Sequence, residues 1–204
     1  MSEATAPPAA TRRLPVFQRF IDELRLIWGT ESSMERRMKR AKPHLEALLM
    51  EESLKAHSAA WPSTEGRQNL LFYVDSDYGF AINGVVRVPG RAGSVHDHAD
   101  VWVLYGVLDG TESLERYDRL DDGTKNGYAQ IRLSSVTTGT NGKVDLVPPN
   151  DIHAEQGGPS RSVAVIVRSQ RTGEGTVLQK GYDLDTGEIT ERYGPKQVNY
   201  DLTA

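Results

Sequence analysis

The 204-residue sequence contains no cysteine. Disulfides, thiolate metal sites and a cysteine nucleophile are therefore excluded, and any bound ion must be held by histidine, carboxylate, or backbone and water oxygen. Long apolar runs are missing as well: no stretch approaches the roughly 18 apolar residues of a spanning helix. The opening MSEATAPPAATRR has no apolar h-region. The chain thus reads as cytoplasmic, with no membrane partner. Excess charge of one sign is also absent. A formal net charge of -4 leaves no basic footprint for nucleic acid. The basic runs Arg12-Arg13 and Arg36-Arg37 with Lys39-Arg40 read as a tail and a solvated helix face.

What is present is enough for one core, since apolar residues make up 38% of the chain. Residues 1–13, with Pro7, Pro8 and small side chains, read as a disordered tail. Residues 14–62 read as helical. Val16, Phe17, Phe20, Ile21, Leu24, Ile27 and Trp28 recur at helical spacing behind Pro15, which suits a first helical turn. Gly29 ends that helix, Ser32 or Ser33 caps the next, and Pro43 kinks it or starts a third. Leu45, Leu48, Leu49 and Leu54 carry the pattern on towards Trp61-Pro62.

From residue 63 to 204 the pattern is β. Short runs over roughly 68–75, 79–88, 101–108, 112–119, 127–135, 143–147, 162–169 and 176–183 are separated by turn residues such as Asp109-Gly110 and Asn141-Gly142. Asp185-Thr186-Gly187 marks a late hairpin. Regular short strands of this kind predict a closed barrel or sandwich.

Five histidines are present. His96 and His98 form His-Asp-His directly after the turn Pro89-Gly90-Arg91-Ala92-Gly93. On an extended strand both imidazoles share a face, about 7 Å apart along the backbone, and Asp97 points away. A lone His-x-His is common on exposed strands. His153 follows Val147-Pro148-Pro149-Asn150-Asp151, and a turn histidine is by itself a surface residue. His44 and His57 fall in the helical part and read as surface or packing groups.

The segment HDHADVWVLYGVLDGTESLERY resembles the first cupin motif of the thiol dioxygenase branch, and VPPNDIHAEQG resembles the second. The likeness continues through ERYDRLDDGTKNGYAQIRL and covers roughly residues 68–190. The whole is similar to predicted metal-dependent enzymes of the double-stranded β-helix superfamily. This resemblance implies a mostly β cupin, a jelly-roll barrel with N-terminal α-helices packed outside it. It also implies one metal ion on His96, His98 and His153, with Fe(II) as the metal, Zn or Ni as alternatives, and O2 and a small-molecule substrate as partners.

The departures are specific. The glutamate that many cupins add after the second histidine is replaced by Trp102 and Val103. By strand parity Asp100 shares the histidine face, as a fourth ligand or a group holding water; an aspartate on the barrel rim is the equal alternative. Trp102, by the same parity, would pack in the barrel core or wall the pocket, and Tyr105 would pack between the sheets or against the helices, away from the metal. Cysteine dioxygenases place an arginine before the first motif, where this chain has Asn69-Leu70-Leu71. Their Ser-x-His-x-Tyr stretch is replaced by Val163–Val167. Arg87 and Arg168 remain as candidates to meet an anionic substrate. The reading is an iron dioxygenase acting on a small organic substrate, with a thiol one option and cysteine disfavoured. A zinc or nickel hydrolase or isomerase, or a ligand-binding cupin without activity, is the alternative, and a homo-oligomer is left open.

Overall fold

The computed structural model describes residues 12–173 and 175–204, so the tail expected over residues 1–13 lies outside it except for Arg12 and Arg13. Those two are not loose. Arg13 bridges Thr203, and the Leu14 N–H donates to the Leu202 carbonyl at 2.8 Å.

Three helices open the chain: α1 (Pro15–Thr30), α2 (Met34–Leu49) and α3 (Glu52–Ser58). Pro15 stands in the first turn of α1, and Ser33 caps α2 by accepting from the Arg36 N–H at 3.4 Å. Pro43 lies inside α2 and does not start a new helix. Phe17, Phe20, Ile21 and Leu24 are all buried, as their spacing predicts. Each such side chain contributes about 1.5–3 kcal/mol of burial.

Eleven strands follow. The six-stranded sheet runs β11-β1-β2-β8-β3-β6, built from β1 (Gln68–Val74), β2 (Ala81–Arg87), β3 (Val103–Asp109), β6 (Val144–Val147), β8 (Ser162–Arg168) and β11 (Lys196–Asn199). All its pairings are antiparallel except β1 with β11. The opposing sheet contains β5 (Ile131–Gly139), β4 (Glu112–Arg119) and β7 (Ile152–Gly157), and the hairpin β9 (Leu178–Tyr182) with β10 (Ile189–Tyr193). The stretch Val95–Asp97 joins these two pieces. His96 bridges both His153 and Gly181, and the Asp97 N–H donates to the Lys180 carbonyl at 3.0 Å. Two antiparallel sheets facing each other, with the helices on the outside of one, make the mostly β jelly-roll cupin barrel that the sequence leads one to expect.

Side-chain alternation sorts the six-stranded sheet into two faces. Val163, Val165 and Val167 of β8, Leu104 and Leu108 of β3, and Ile82 and Val86 of β2 pack with Trp28, Leu24 and Leu49 of the helices. Ala164 and Ile166, Val103, Tyr105 and Val107, and Val85 form the barrel interior with Leu114 of the opposing sheet. Gly106 lets α2 settle on β3, because a Cβ there would lie 2.6 Å from Leu49 Cδ1. One strand, β7, was not marked by alternation. Its inward residues are His153 and Glu155, so the usual apolar-in pattern is reversed. The run expected over 127–135 starts only at Ile131, since Tyr128 makes no more than an isolated bridge to Glu188.

Candidate metal centre

His96 and His153 are direct partners across the opposing sheet: each backbone N–H donates to the other's carbonyl at 2.9 Å. Gly93 permits this closeness, because a Cβ there would meet the Glu155 carbonyl oxygen at 2.2 Å. His98 follows two residues on and is 4% exposed. The three ring centroids form a near-equilateral triangle with sides of 4.8, 4.5 and 4.8 Å. One ligand atom from each ring lies within 4.8 Å of the others.

The rings are oriented by what their Nδ1 atoms touch. His96 Nδ1 lies 2.9 Å from the Ser94 carbonyl and His153 Nδ1 lies 2.8 Å from the Asp151 carbonyl. A carbonyl only accepts, so both Nδ1 atoms carry the hydrogen and both Nε2 atoms hold a free lone pair. His98 Nδ1 lies 2.7 Å from the Gln179 amide nitrogen, which donates to it. Loss of surrounding water holds all three imidazoles below their ordinary pKa, to about 4 for His153, where the neighbouring His96 adds to the effect. They are therefore neutral at pH 7, the form that ligates. His153 Nε2 is buried and has no hydrogen-bond partner among the described residues. A buried, unsatisfied lone pair beside the one on His96, with the His98 ring completing the triangle, is what a bound cation would satisfy, so the residues fit a metal ion.

Asp97 fastens the His-Asp-His segment. Its Oδ1 accepts from the Ala99 and Lys180 N–H groups at 3.0 Å, and its Oδ2 accepts from the Tyr182 hydroxyl at 2.8 Å. It points away from the cluster, as the alternation implies.

Beyond His98 that alternation fails. Ala99 adopts φ 48 and begins a turn, so Trp102 and the strand β3 that follows it, with Tyr105, start in a new frame. Asp100 is exposed in this turn and is not part of the histidine group. Neither a fourth ligand nor a water-holding role follows for it. Trp102 packs against the helix-side core, not the pocket. Tyr105, expected between the sheets or against the helices, packs between the sheets and from there lines the cavity.

That cavity, about 360 Å³, opens at His96 and His98. Arg87 and Arg168 both line it, as proposed from sequence. Arg87 is committed elsewhere: Nε lies 3.5 Å from Glu112 and Nη2 lies 3.6 Å from Glu155. Tyr105 donates to Glu112 at 2.6 Å, and burial pushes its hydroxyl pKa well up. Glu155 Oε1 is also 3.5 Å from His153 Nε2. Burial raises this carboxyl, but the positive charge that His153 and His96 take up in acid, with those of Arg87 and Arg168, outweighs it and holds the pKa below the usual range. Glu155, Tyr105 and Gln179 were missed in the sequence. Glu155 was findable, since His153-Ala-Glu155 places both polar groups on one strand face by the rule that joined His96 and His98. Gln179 carries no such signal.

Fold and site together define a cupin barrel with a three-histidine cluster able to hold a metal ion. No family model and no curated protein matches the chain. Among solved structures it is similar to an uncharacterised conserved protein with a double-stranded β-helix domain from Klebsiella pneumoniae, at 14% identity and TM-score 0.40, covering 69% of this chain and 89% of that one. An oxalate oxidase in complex with the substrate analogue glycolate matches at 16% identity and TM-score 0.42, covering 55% and 56%. The cupin domain of Schizosaccharomyces pombe Cnp3 matches at 10% and 0.39, covering 50% and 60%. The chain thus spans under two thirds of the last two. These scores are low, and what defines the barrel here is its own strand order and register. Among the described residues, no helix is long and apolar enough to cross a membrane.

Proposed function

We propose that the chain is a metal-dependent cupin enzyme, a mononuclear non-haem iron dioxygenase acting on a small organic substrate. The observation that carries this reading is the convergence of three neutral imidazoles, with the Nδ1 atoms of His96 and His153 anchored to carbonyls, at the wall of a cavity. Three histidines leave coordination positions open, the condition for metal catalysis. Divalent iron held there would supply oxygen activation for a substrate that chelates it.

The chain's own residues would do the rest. Gln179 and the Ser94 and Asp151 carbonyls orient the rings. Val85, Val103 and Ile166 give the cavity apolar walls that exclude water. Glu155, next to His153, is the only carboxylate among the lining residues and can take a proton from a bound substrate. Cysteine remains a poor candidate, though for a changed reason. A carboxylate would find Arg168, so the missing arginine before the first motif is not decisive. An ammonium group would enter a cavity lined by five arginines.

Metal analysis of protein purified without added metal, followed by oxygen-electrode screening of small acids, thiols and diketones, tests the proposal. Substrate-dependent oxygen uptake by the iron-loaded protein, lost together with metal retention in His98→Ala, is the expected result. Full turnover with zinc and no oxygen requirement would overturn it in favour of a hydrolase.

A further inference from the structure

The residues lining the cavity include Arg67, Arg87, Arg91, Arg168 and Arg192 against one acid, Glu155. Arg87 is neutralised by Glu112 and Glu155. The other four form two tiers. Arg168 ends β8 in the inward frame of Ala164 and Ile166 and is 2% exposed. Its Nε and Nη1 have no hydrogen-bond partner among the described residues. Nη2 reaches only Asn69, whose amide oxygen accepts from it at 3.2 Å once the amide is turned to satisfy both of its ends. A buried guanidinium with unsatisfied donors is costly to fold. Arg67, Arg91 and Arg192 stand nearer solvent. Arg192 donates to Ser94 Oγ at 2.8 Å, Arg67 to the Tyr193 carbonyl at 2.7 Å, and Arg91 to the Thr64 and Gly66 carbonyls. These acceptors are all neutral. Among the described residues none of the three has a carboxylate within ion-pair distance, so their charge faces the cavity mouth uncompensated.

We propose that the cavity binds a small aliphatic dicarboxylate, one carboxylate on Arg168 at depth and the other among the rim arginines, with the carbon chain against Val85, Val103 and Ile166. The proposal rests on the reading of this cavity as the substrate site. The planar guanidinium fork of Arg168 matches a carboxylate in a bidentate pair, and such a pair, through Nη2 together with Nε or with Nη1, would satisfy one of the two orphaned nitrogens. The apolar walls between the tiers suit a carbon spacer, which inorganic phosphate lacks. The second charge distinguishes the ligand from a simple monocarboxylate.

Calorimetry and thermal shift on chelator-treated, metal-free protein test this with succinate, glutarate, butyrate and inorganic phosphate. Succinate or glutarate is expected to bind at least tenfold tighter than butyrate. Arg168→Gln is expected to raise the melting temperature of the ligand-free protein, because it removes an unpaired buried charge, and to weaken dicarboxylate binding at least tenfold. Should Arg168→Gln fail to fold, the surface variant Arg192→Gln decides: it should narrow the gap between dicarboxylate and butyrate. Phosphate binding as tightly as the dicarboxylates would overturn the proposal. So would dicarboxylate affinity unchanged in either variant, or no binding to the metal-free and iron-loaded protein alike. Binding without metal is independent of oxygen chemistry, so failure of the dioxygenase reading and failure of this one are separable.

Discussion

The amide of Gln179 lies 2.7 Å from Nδ1 of His98, across 81 residues of chain. The contact joins β9 to the His-Asp-His segment, and both groups are buried. The nitrogen Nε2 of the amide faces Nδ1 and donates to it; for Nε2 of His98 to ligate, Nδ1 must carry the hydrogen, so the amide must turn over to present its oxygen as acceptor. Gln179→Leu removes that acceptor with little change in volume. Metal affinity, measured by competition with a chromophoric chelator, is expected to fall roughly 10–100-fold. Gln179→Glu retains an acceptor and should keep most of it. Unchanged affinity in the leucine variant would make the contact packing alone.

Arg87 holds two buried carboxylates at once. Glu112 also accepts from Ser162 Oγ at 2.7 Å and from Tyr105, so it is fixed from three sides. Arg87→Met leaves Glu112 and Glu155 without their shared cation, and a loss of about 3–5 kcal/mol is expected in denaturant unfolding. The double variant Arg87→Met, Glu112→Gln should be more stable than the single one, because one of the two orphaned charges has gone. If the two losses simply add, the residues are not coupled.

The helices, the barrel and the pair His96 and His98 were legible because they follow from periodicities that hold over whole elements, whereas His153 was legible only through the resemblance of VPPNDIHAEQG to a second cupin motif. Phe17, Phe20 and Ile21 keep helical spacing, and the hairpin at Asp185-Thr186-Gly187 follows from its turn residues. Asp100 and Trp102 were misread for one local reason. Parity counted from His96 passes through Ala99, whose left-handed backbone resets the count, so Asp100 and Trp102 do not share the histidine face, while Tyr105, which does pack between the sheets, reaches the cavity. Non-local contacts such as Gln179 with His98 have no counterpart in the local pattern at all.

That turn makes its own prediction. Ala99 sits at φ 48 while its N–H donates to Asp97 and its carbonyl accepts from the Asn150 N–H at 2.8 Å. A left-handed alanine costs about 1–2 kcal/mol, and glycine avoids this while adding roughly 0.4–1 kcal/mol of unfolded-state entropy. Ala99→Gly is therefore expected to stabilise the protein by about 0.5–1 kcal/mol in denaturant unfolding. Metal affinity should not change, since both hydrogen bonds are backbone-borne on the Ala99 side. A destabilised variant would mean that the methyl group packs more favourably than its strain costs.

The last prediction concerns acid. Asp75 is 2% exposed, and burial raises its pKa. The N–H groups of Tyr78 and Asp77, the Tyr73 hydroxyl and Arg25 all donate to it, between 2.5 and 3.0 Å, and together they bring the pKa below the ordinary value. The folded pKa is thus lower than the unfolded one. Its contribution to stability is complete above the unfolded pKa of about 3.9 and disappears as pH falls through the folded value. Asp75→Asn should be less stable than the parent at pH 7. Its stability should also fall less steeply between about pH 5 and pH 2, because the linked proton is no longer taken up on unfolding. Urea unfolding at a series of pH values measures both. Parallel curves for the two proteins over that window would show that Asp75 is not one of the groups through which acid unfolds this barrel.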